Sequence, residues 1–123
     1  MVNWQDINNS VTRDYMTVKG DSIVFNFQLS GLGSRAEYEA LNVNFEVAEH
    51  YDDTPVINID KTNGITLAEY DANDDVATFA VGVAPTYTAN LDISRYFYDL
   101  QISDEANVIT LLRGKLTVIN GVD

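Results

Sequence analysis

Residues 96–102 read YFYDLQI and residues 108–118 read VITLLRGKLTV, and these two neighbouring segments decide the fold. Both are rich in aromatic and β-branched residues, and apolar and polar residues alternate along both. The five residues between them, SDEAN, are polar and typical of a turn. Alternation with a period of two on each side of a short polar break predicts an antiparallel β-hairpin.

The same hairpin resembles the end of small phage and prophage structural proteins related to the immunoglobulin-like N-terminal domain of baseplate upper proteins. Such proteins often end in a Tyr-x-Tyr-Asp-Leu-Gln strand, a short turn and a Thr-Leu-Leu-x-Gly-x-x-Thr-Val strand. The matching positions here are residues 96, 98–101, 110–112, 114, 117 and 118. The resemblance implies a tail, baseplate or neck protein of a virion, made in the host bacterial cytoplasm. Its partners would be other virion proteins, with self-association as a homo-oligomer as an option.

The rest of the chain repeats the period-two pattern in shorter segments. In residues 41–47 the apolar side chains share one face, and Asn42, Asn44 and Glu46 lie on the other. Similar segments, separated by turn signals, lie at residues 22–29, 55–60, 64–68 and 76–83. Together with the hairpin they predict an all-β fold, an immunoglobulin-like antiparallel β-sandwich of about seven strands.

Two short segments are exceptions to this pattern. Ser34 and Glu37 have the spacing of a capping box, which predicts a helix of one or two turns between strands. Residues 85–91 resemble the short helical or turn-like segment that the phage proteins place before the Tyr-Asp-Leu-Gln strand. The sequence therefore predicts at most one or two short helical turns.

A chain of 123 residues has the length of one domain and can bury a core without cross-links. We divide it into an N-terminal arm, residues 1–14, and a sandwich domain, residues 15–123. The arm has too few apolar residues for a core of its own. Its Trp4 is an interface candidate, as are Tyr15 and Tyr51, because large aromatic side chains anchor protein–protein contacts. The alternative for Trp4 is that it folds back and caps the same domain.

Charge and composition argue against several function classes. Nineteen acidic residues against seven basic ones give a formal charge of −12, which repels phosphate groups and disfavours nucleic acid and anionic membranes as partners. The chain has no cysteine, so disulfides and thiolate metal sites are excluded. No basic region followed by an apolar run opens the chain, and no apolar stretch reaches about 18 residues. Neither a signal peptide nor a membrane span is expected.

No catalytic constellation stands out. His50 is the only imidazole, and it lies beside a turn with no evident nucleophile. Gly-rich phosphate loops, His-Glu-x-x-His and Gly-x-Ser-x-Gly are absent from the sequence. The prediction is a protein that is not an enzyme and that needs no cofactor.

The alternative to a protein without a cofactor is one that binds a calcium ion at the acidic turn of residues 71–75. Asp71, Asn73 and Asp75 match the opening ligands of a calcium loop, but Val76 and Gly82 stand where such a loop requires Gly and Glu. The other interpretation is a plain turn whose Asp and Asn side chains bond to their own backbone.

The aromatic residues allow a second functional interpretation, because sugars stack on exposed rings. Four Phe residues on alternating apolar positions are predicted to be core: Phe25, Phe27, Phe45 and Phe79. The candidates for exposed rings are then Trp4, Tyr15, Tyr38, Tyr51, Tyr70 and Tyr87. The predicted function is a non-enzymatic phage virion protein that acts through protein–protein assembly. The alternative is a carbohydrate-binding module for saccharide on the host surface.

Overall fold

A computed structural model describes residues 11–51 and 53–121 of the protein. Within these residues 54% lie in strands and 9% in helices, which confirms the predicted all-β sandwich class. The strands are β1 (Val11–Thr12), β2 (Tyr15–Val18), β3 (Ile23–Ser30), β4 (Asn42–Ala48), β5 (Ile57–Ile59), β6 (Ile65–Asp71), β7 (Val76–Val83), β8 (Arg95–Ser103) and β9 (Val108–Ile119). The helices are α1 (Arg35–Glu39) and α2 (Pro85–Ala89).

The strands form two sheets that share one core. The larger sheet has the order β2, β9, β8, β4, β5, with β1 pairing along the same side of β9 as β2, and the smaller sheet has the order β3, β7, β6. Neighbours are antiparallel except that β1 and β2 run parallel to β9. The prediction of about seven antiparallel strands misses this parallel edge. A strand as short as β1, with two residues, carries no period-two pattern.

The β8–β9 hairpin is confirmed, with Tyr96 opposite Leu116 and Leu100 opposite Leu112. The register shifts by one residue between Leu100 and Gln101, where Gln101 pairs with Thr110. The polar turn between the strands is organised by Asp104, whose Oδ1 accepts hydrogen bonds from the N–H groups of residues 106 and 107 at 2.8 Å each. Local turn chemistry therefore supports the pairing that the alternation predicts.

The core is filled by alternate residues of the two facing sheets. The four predicted core Phe residues face it: Phe45 and Phe79 are buried, whereas Phe25 and Phe27 are half-buried. Phe27 stacks on Phe79 with ring centroids 5.1 Å apart, and Phe25 meets Phe45 edge to face at 5.5 Å. Phe25 and Phe27 are only half-buried because they lie on β3, at the edge of the smaller sheet.

Tyr96, at the start of β8, ties the entry of this strand to the chain before it. Its hydroxyl accepts a hydrogen bond from the Asp92 N–H at 3.0 Å. Immunoglobulin-like sandwiches have a similar arrangement, in which a Tyr near the start of a strand bonds through its hydroxyl to the backbone a few residues upstream. The first aromatic residue of the hairpin therefore has a structural role.

Both predicted short helices are present. Ser34 caps α1, because its Oγ accepts a hydrogen bond from the Glu37 N–H at 3.4 Å. In α2 the buried Thr88 hydroxyl donates to the Asp21 carbonyl at 2.6 Å and accepts from the Gly20 N–H at 3.2 Å. This helix thereby anchors the β2–β3 turn. No helix in the described part of the chain is long and apolar enough to cross a membrane.

Candidate interaction surface

The edges of the two sheets differ in how well they are protected against pairing with another strand. An open edge exposes unpaired N–H and C=O groups, and natural proteins shorten, interrupt or charge such edges. At one edge of the larger sheet β5 has three residues, and at the other Arg13 and Asp14 separate β1 from β2. At the β6 edge of the smaller sheet the register shifts between Leu67 and Glu69. Each of these three edges is short, interrupted or irregular.

The fourth edge, formed by β3 (Ile23–Ser30), has none of these features, and we call it the β3 edge. Its eight residues pair with β7 in unbroken register. Its sequence, IVFNFQLS, contains no charged residue, Gly or Pro. Among residues 11–51 and 53–121, no hydrogen bond joins the main chain of β3 to any element other than β7. Because alternate residues of an antiparallel strand direct their N–H and C=O groups to the same side, about half of these groups face away from β7.

The side chains of β3 alternate between a core face and an exposed face. Ile23, Phe25 and Phe27 face the core but are only half-buried. On the other face Val24 is 73% exposed, and Asn26 is exposed as well. Among the described residues, the β3 edge therefore combines main-chain groups that pair with no second strand and apolar side chains that are not fully covered.

A groove opens beside the β3 edge, between β2 of the larger sheet and β3 of the smaller one. We call it the β2–β3 groove, and its volume is about 230 Å³. Its lining is mostly apolar and aromatic and includes Tyr15, Ile23, Phe25, Phe45, Tyr98 and Leu116. In the part of the chain that the structure describes, an unpaired strand edge and an apolar groove thus lie side by side, as strand addition requires.

Tyr15, one of the predicted interface residues, forms part of this groove. It is 41% exposed, and its ring centroid lies 5.6 Å from that of Tyr98. Burial raises the pKa of Tyr98, and the Tyr98 hydroxyl donates a hydrogen bond to the Arg13 carbonyl. The wall of the groove is in this way fixed to the segment that joins β1 and β2.

Tyr51, the second predicted interface residue, lies apart from the groove in an aromatic cluster on the outer side of the larger sheet. Its ring centroid is 4.5 Å from that of Phe97, and the Arg113 guanidinium lies 4.3 Å above the Tyr51 ring. The Tyr51 hydroxyl donates to the Gly114 carbonyl at 3.1 Å. We call Tyr51, Phe97, Arg113 and the nearby His50 the Tyr51 cluster. Its central ring is already occupied by contacts within the chain.

Trp4, the third predicted interface residue, lies outside the described residues. Residues 11–14, which the sequence assigns to the arm, are described: β1 pairs with β9, and the Arg13 N–H donates to the Arg113 carbonyl at 2.9 Å. The Lys115 N–H donates to Asp14 Oδ1 at 3.0 Å. The last part of the predicted arm therefore packs on the sandwich.

The acidic turn of residues 71–75, considered above as an alternative calcium site, holds an Asp that bonds to the backbone of the turn. Asp71 Oδ1 accepts hydrogen bonds from the N–H groups of Asn73 and Asp74, at 2.9 Å and 3.3 Å. This is the arrangement of a plain Asp-stabilised turn. In the ranges that the structure describes, no three His, Asp or Glu side chains come together as a metal site.

Asp75, the last residue of the same turn, accepts several hydrogen bonds from the protein. Its Oδ2 accepts from the Gly33 N–H at 2.9 Å, and its Oδ1 accepts from the hydroxyls of Tyr38 and Tyr70 at 3.1 Å each. Burial alone would raise the pKa of Asp75, but these hydrogen bonds outweigh it and lower the pKa. Two of the three side chains considered as calcium ligands therefore already serve the turn and its surroundings.

Glu46 and Asp99 form an unusual acidic pair on the outer side of the larger sheet. They occupy directly opposed positions on β4 and β8. Burial raises the pKa of both, and the charge of Asp99 raises that of Glu46 further, whereas Arg113 partly offsets the rise for Asp99. Asp99 Oδ1 is buried and has no hydrogen-bond donor within the described ranges. Both carboxylates therefore oppose folding when they are charged.

We expect Asp99→Asn and Glu46→Gln to raise the free energy of unfolding at pH 7 and to change it little near pH 3. A carboxyl whose pKa is raised in the folded state favours folding below its unfolded pKa, and this contribution is lost as pH rises through the folded pKa. Asp75→Asn should do the opposite and lower stability at pH 7, because the folded pKa of Asp75 is depressed. Urea unfolding at both pH values measures this, and parallel shifts for all three variants would contradict it.

The sequence contains one signal of this surface. The absence of charge from residues 23–30 is visible in a chain of net charge −12. Its meaning depends on β3 being a sheet edge, which the pattern does not show. The structure also separates Tyr15 from Tyr51, since the first lines the β2–β3 groove and the second belongs to the Tyr51 cluster.

Comparisons with known proteins show similarity in fold alone. No protein-family model matches the chain, and no curated protein matches its sequence. Solved structures do match, among them a family 123 glycoside hydrolase from Clostridium perfringens that was studied for glycolipid glycan hydrolysis, with a TM-score of 0.55 and 16% sequence identity. The match covers 90% of this chain and 23% of the hydrolase chain. This similarity is one of β-sandwich architecture.

Proposed function

We propose that the chain is a non-enzymatic structural protein of a phage or prophage particle, in the tail, baseplate or neck, that acts by binding other virion proteins. The observation that supports this most is the β3 edge, an uncharged eight-residue open strand beside the apolar β2–β3 groove. The rest of the chain carries the charge of −12. The resemblance of the β8–β9 hairpin to phage structural proteins supplies the biological setting.

The binding mode in this proposal is strand addition. An extended segment of a neighbouring protein pairs with the free main-chain groups of β3, and its alternate side chains enter the groove beside Tyr15 and Phe25. The main-chain hydrogen bonds supply affinity, while the groove selects the side chains. Because neither contribution is ionic, salt screens the association little.

Purified particles from cells that carry the gene test this proposal. We expect mass spectrometry to find the chain in the particles, and we expect its binding to neighbouring proteins to survive high salt. Val24→Asp places a charge on the exposed face of the β3 edge and should reduce incorporation while the sandwich stays folded. Ile93→Asp is the matched control, since Ile93 is 46% exposed and lies outside the β3 edge and the β2–β3 groove. Detection in infected-cell lysate only, with turnover of a small substrate by the purified chain, would contradict the proposal.

A second candidate function, a module that binds host-surface saccharide, is favoured by the Tyr51 cluster, whose rings lie on the outer side of a sheet. A fold shared with part of an enzyme that acts on glycolipid glycans is compatible with it. The cation above the Tyr51 ring weighs against it, because a sugar needs an open aromatic face. Glycan-array binding that is lost in Phe97→Ala and kept in Val24→Ser would favour this second function over assembly.

A further inference from the structure

We infer that the strand which pairs with the β3 edge is the β3 edge of a second copy of this chain. Two smaller sheets would then join across a two-fold axis into one continuous sheet of six strands, with the two β3 strands at its centre. This inference rests on the proposed assembly function and names the first partner in it. It is carried by the charge distribution and by the self-complementarity of Ile23–Ser30.

Charge restricts where two copies of this chain can meet. Each copy carries −12, so copies repel each other over most of their surface. Paired strands lie only about 4.8 Å apart, which brings charged side chains on an edge into close opposition. The β6 edge of the same sheet carries Glu69 and Asp71, whereas the β3 edge carries no charge at all. Of the two edges of the smaller sheet, β3 is therefore the one along which two identical copies can approach.

The side chains of β3 also match their own copies in an antiparallel register. With Asn26 on the two-fold axis, Phe25 lies opposite Phe27 of the second copy, and Val24 lies opposite Gln28 of the second copy. Directly opposed residues of an antiparallel pair point to the same face, so both core faces stay aligned. The half-buried Phe25 and Phe27 gain cover from each other. An interface of this kind uses the same patch on both copies, as two-fold dimers do.

The same register brings the second copy to one end of the β2–β3 groove. It places Leu29 of the second copy opposite Ile23, which lines the groove. Leu29 is buried in the core of its own copy, so its main chain rather than its side chain meets this end of the groove. The β3 edge and the end of the groove at Ile23 then face the same partner.

A charge placed on the two-fold axis tests the inference. Asn26→Lys and Asn26→Glu should each weaken self-association of the full chain by about a hundredfold, because each charge then meets its own copy. An equal mixture of the two variants should regain association, since opposite charges then face each other. Sedimentation equilibrium from about 1 μM to about 1 mM measures the dissociation constants. If the β3 edge instead bound a different protein, Asn26→Lys and Asn26→Glu would change the affinity for that protein in opposite directions.

Asn58→Lys and Asn58→Glu are the matched controls, because Asn58 is exposed at the centre of β5 in the other sheet. Both should keep the wild-type dissociation constant. Hydrogen exchange gives a second readout that needs no variant: β3 amides directed away from β7 should be protected at high concentration and lose protection on dilution. A wild-type chain that is monomeric at about 1 mM, or Asn26 variants that associate as tightly as the wild type, would overturn the inference. Neither result would alter incorporation into particles, which tests the proposed function separately.

Discussion

Gly114→Ala should lower the free energy of unfolding by about 3 kcal/mol, the cost of forcing a methyl group into filled space. A Cβ at Gly114 would lie 1.9 Å from the carbonyl oxygen of Arg13 and 2.6 Å from its carbonyl carbon. Both atoms belong to the backbone and cannot rotate away. The Arg13 N–H is bonded to the Arg113 carbonyl, and the Arg13 carbonyl accepts from Tyr98, so the segment is held on both sides. We therefore expect this methyl group to separate β1 and β2 from β9.

Gly82→Ala is the matched control for this prediction. Gly82 is half-buried within β7, yet the nearest atom to a Cβ there is the Gly64 carbonyl oxygen at 3.8 Å, an ordinary contact distance. The free energy of unfolding of the Gly82→Ala variant should stay within about 0.5 kcal/mol of the wild-type value. Guanidinium chloride unfolding followed by circular dichroism compares the two variants. Equal losses of stability in the two variants would contradict the close approach of residues 13 and 14 to Gly114.

Leu100→Ala and Leu116→Ala should each cost about 2–5 kcal/mol, because each removes a large side chain from the core and leaves a cavity. Leu100 is 1% exposed and Leu116 is 3% exposed, and they lie on the two strands of the β8–β9 hairpin. A loss of this size is a large part of the about 5–15 kcal/mol that stabilises a typical domain. Thermal or denaturant unfolding should show both variants strongly destabilised or unfolded.

Lys115→Ala tests the register of the same strand. Lys115 is exposed and directly precedes Leu116, so its side chain points to the opposite face of the sheet. Its loss should change stability by less than about 0.5 kcal/mol. If Lys115→Ala and Leu116→Ala were equally destabilising, β9 would be shifted by one residue, since a one-residue slip exchanges the two faces.

The β8–β9 hairpin shows what can be predicted well from a local pattern. The alternation predicted residues 96–102 and 108–118 as strands, and the structure has Arg95–Ser103 and Val108–Ile119. The predicted cap at Ser34 is also confirmed, because a cap depends on residues only three positions apart. Both features are decided by interactions between near neighbours in the chain.

The neighbouring strands β2 and β3 show where a local pattern stops being informative. The turn at Gly20 joins two segments that would read as a hairpin, yet β2 pairs with β9 in one sheet and β3 pairs with β7 in the other. The anchor of this turn is Thr88, which is 67 residues away from Asp21. Such a choice depends on contacts between distant parts of the chain, and alternation along a single strand carries no information on it.

By itself, then, the sequence determined the all-β class, the hairpin, the inward faces of the strands and the absence of cysteine chemistry, because these follow from residue type and from periods of a few residues. Only the tertiary structure decided that β3 lies at the edge of its sheet, that Tyr15 lines the β2–β3 groove while Tyr51 lies apart from it, and that Gly114 lies beneath the Arg13 carbonyl. The physical reason is that an edge, a groove and a close backbone approach are each made by strands far apart in the chain, and alternation along one strand does not specify its neighbour.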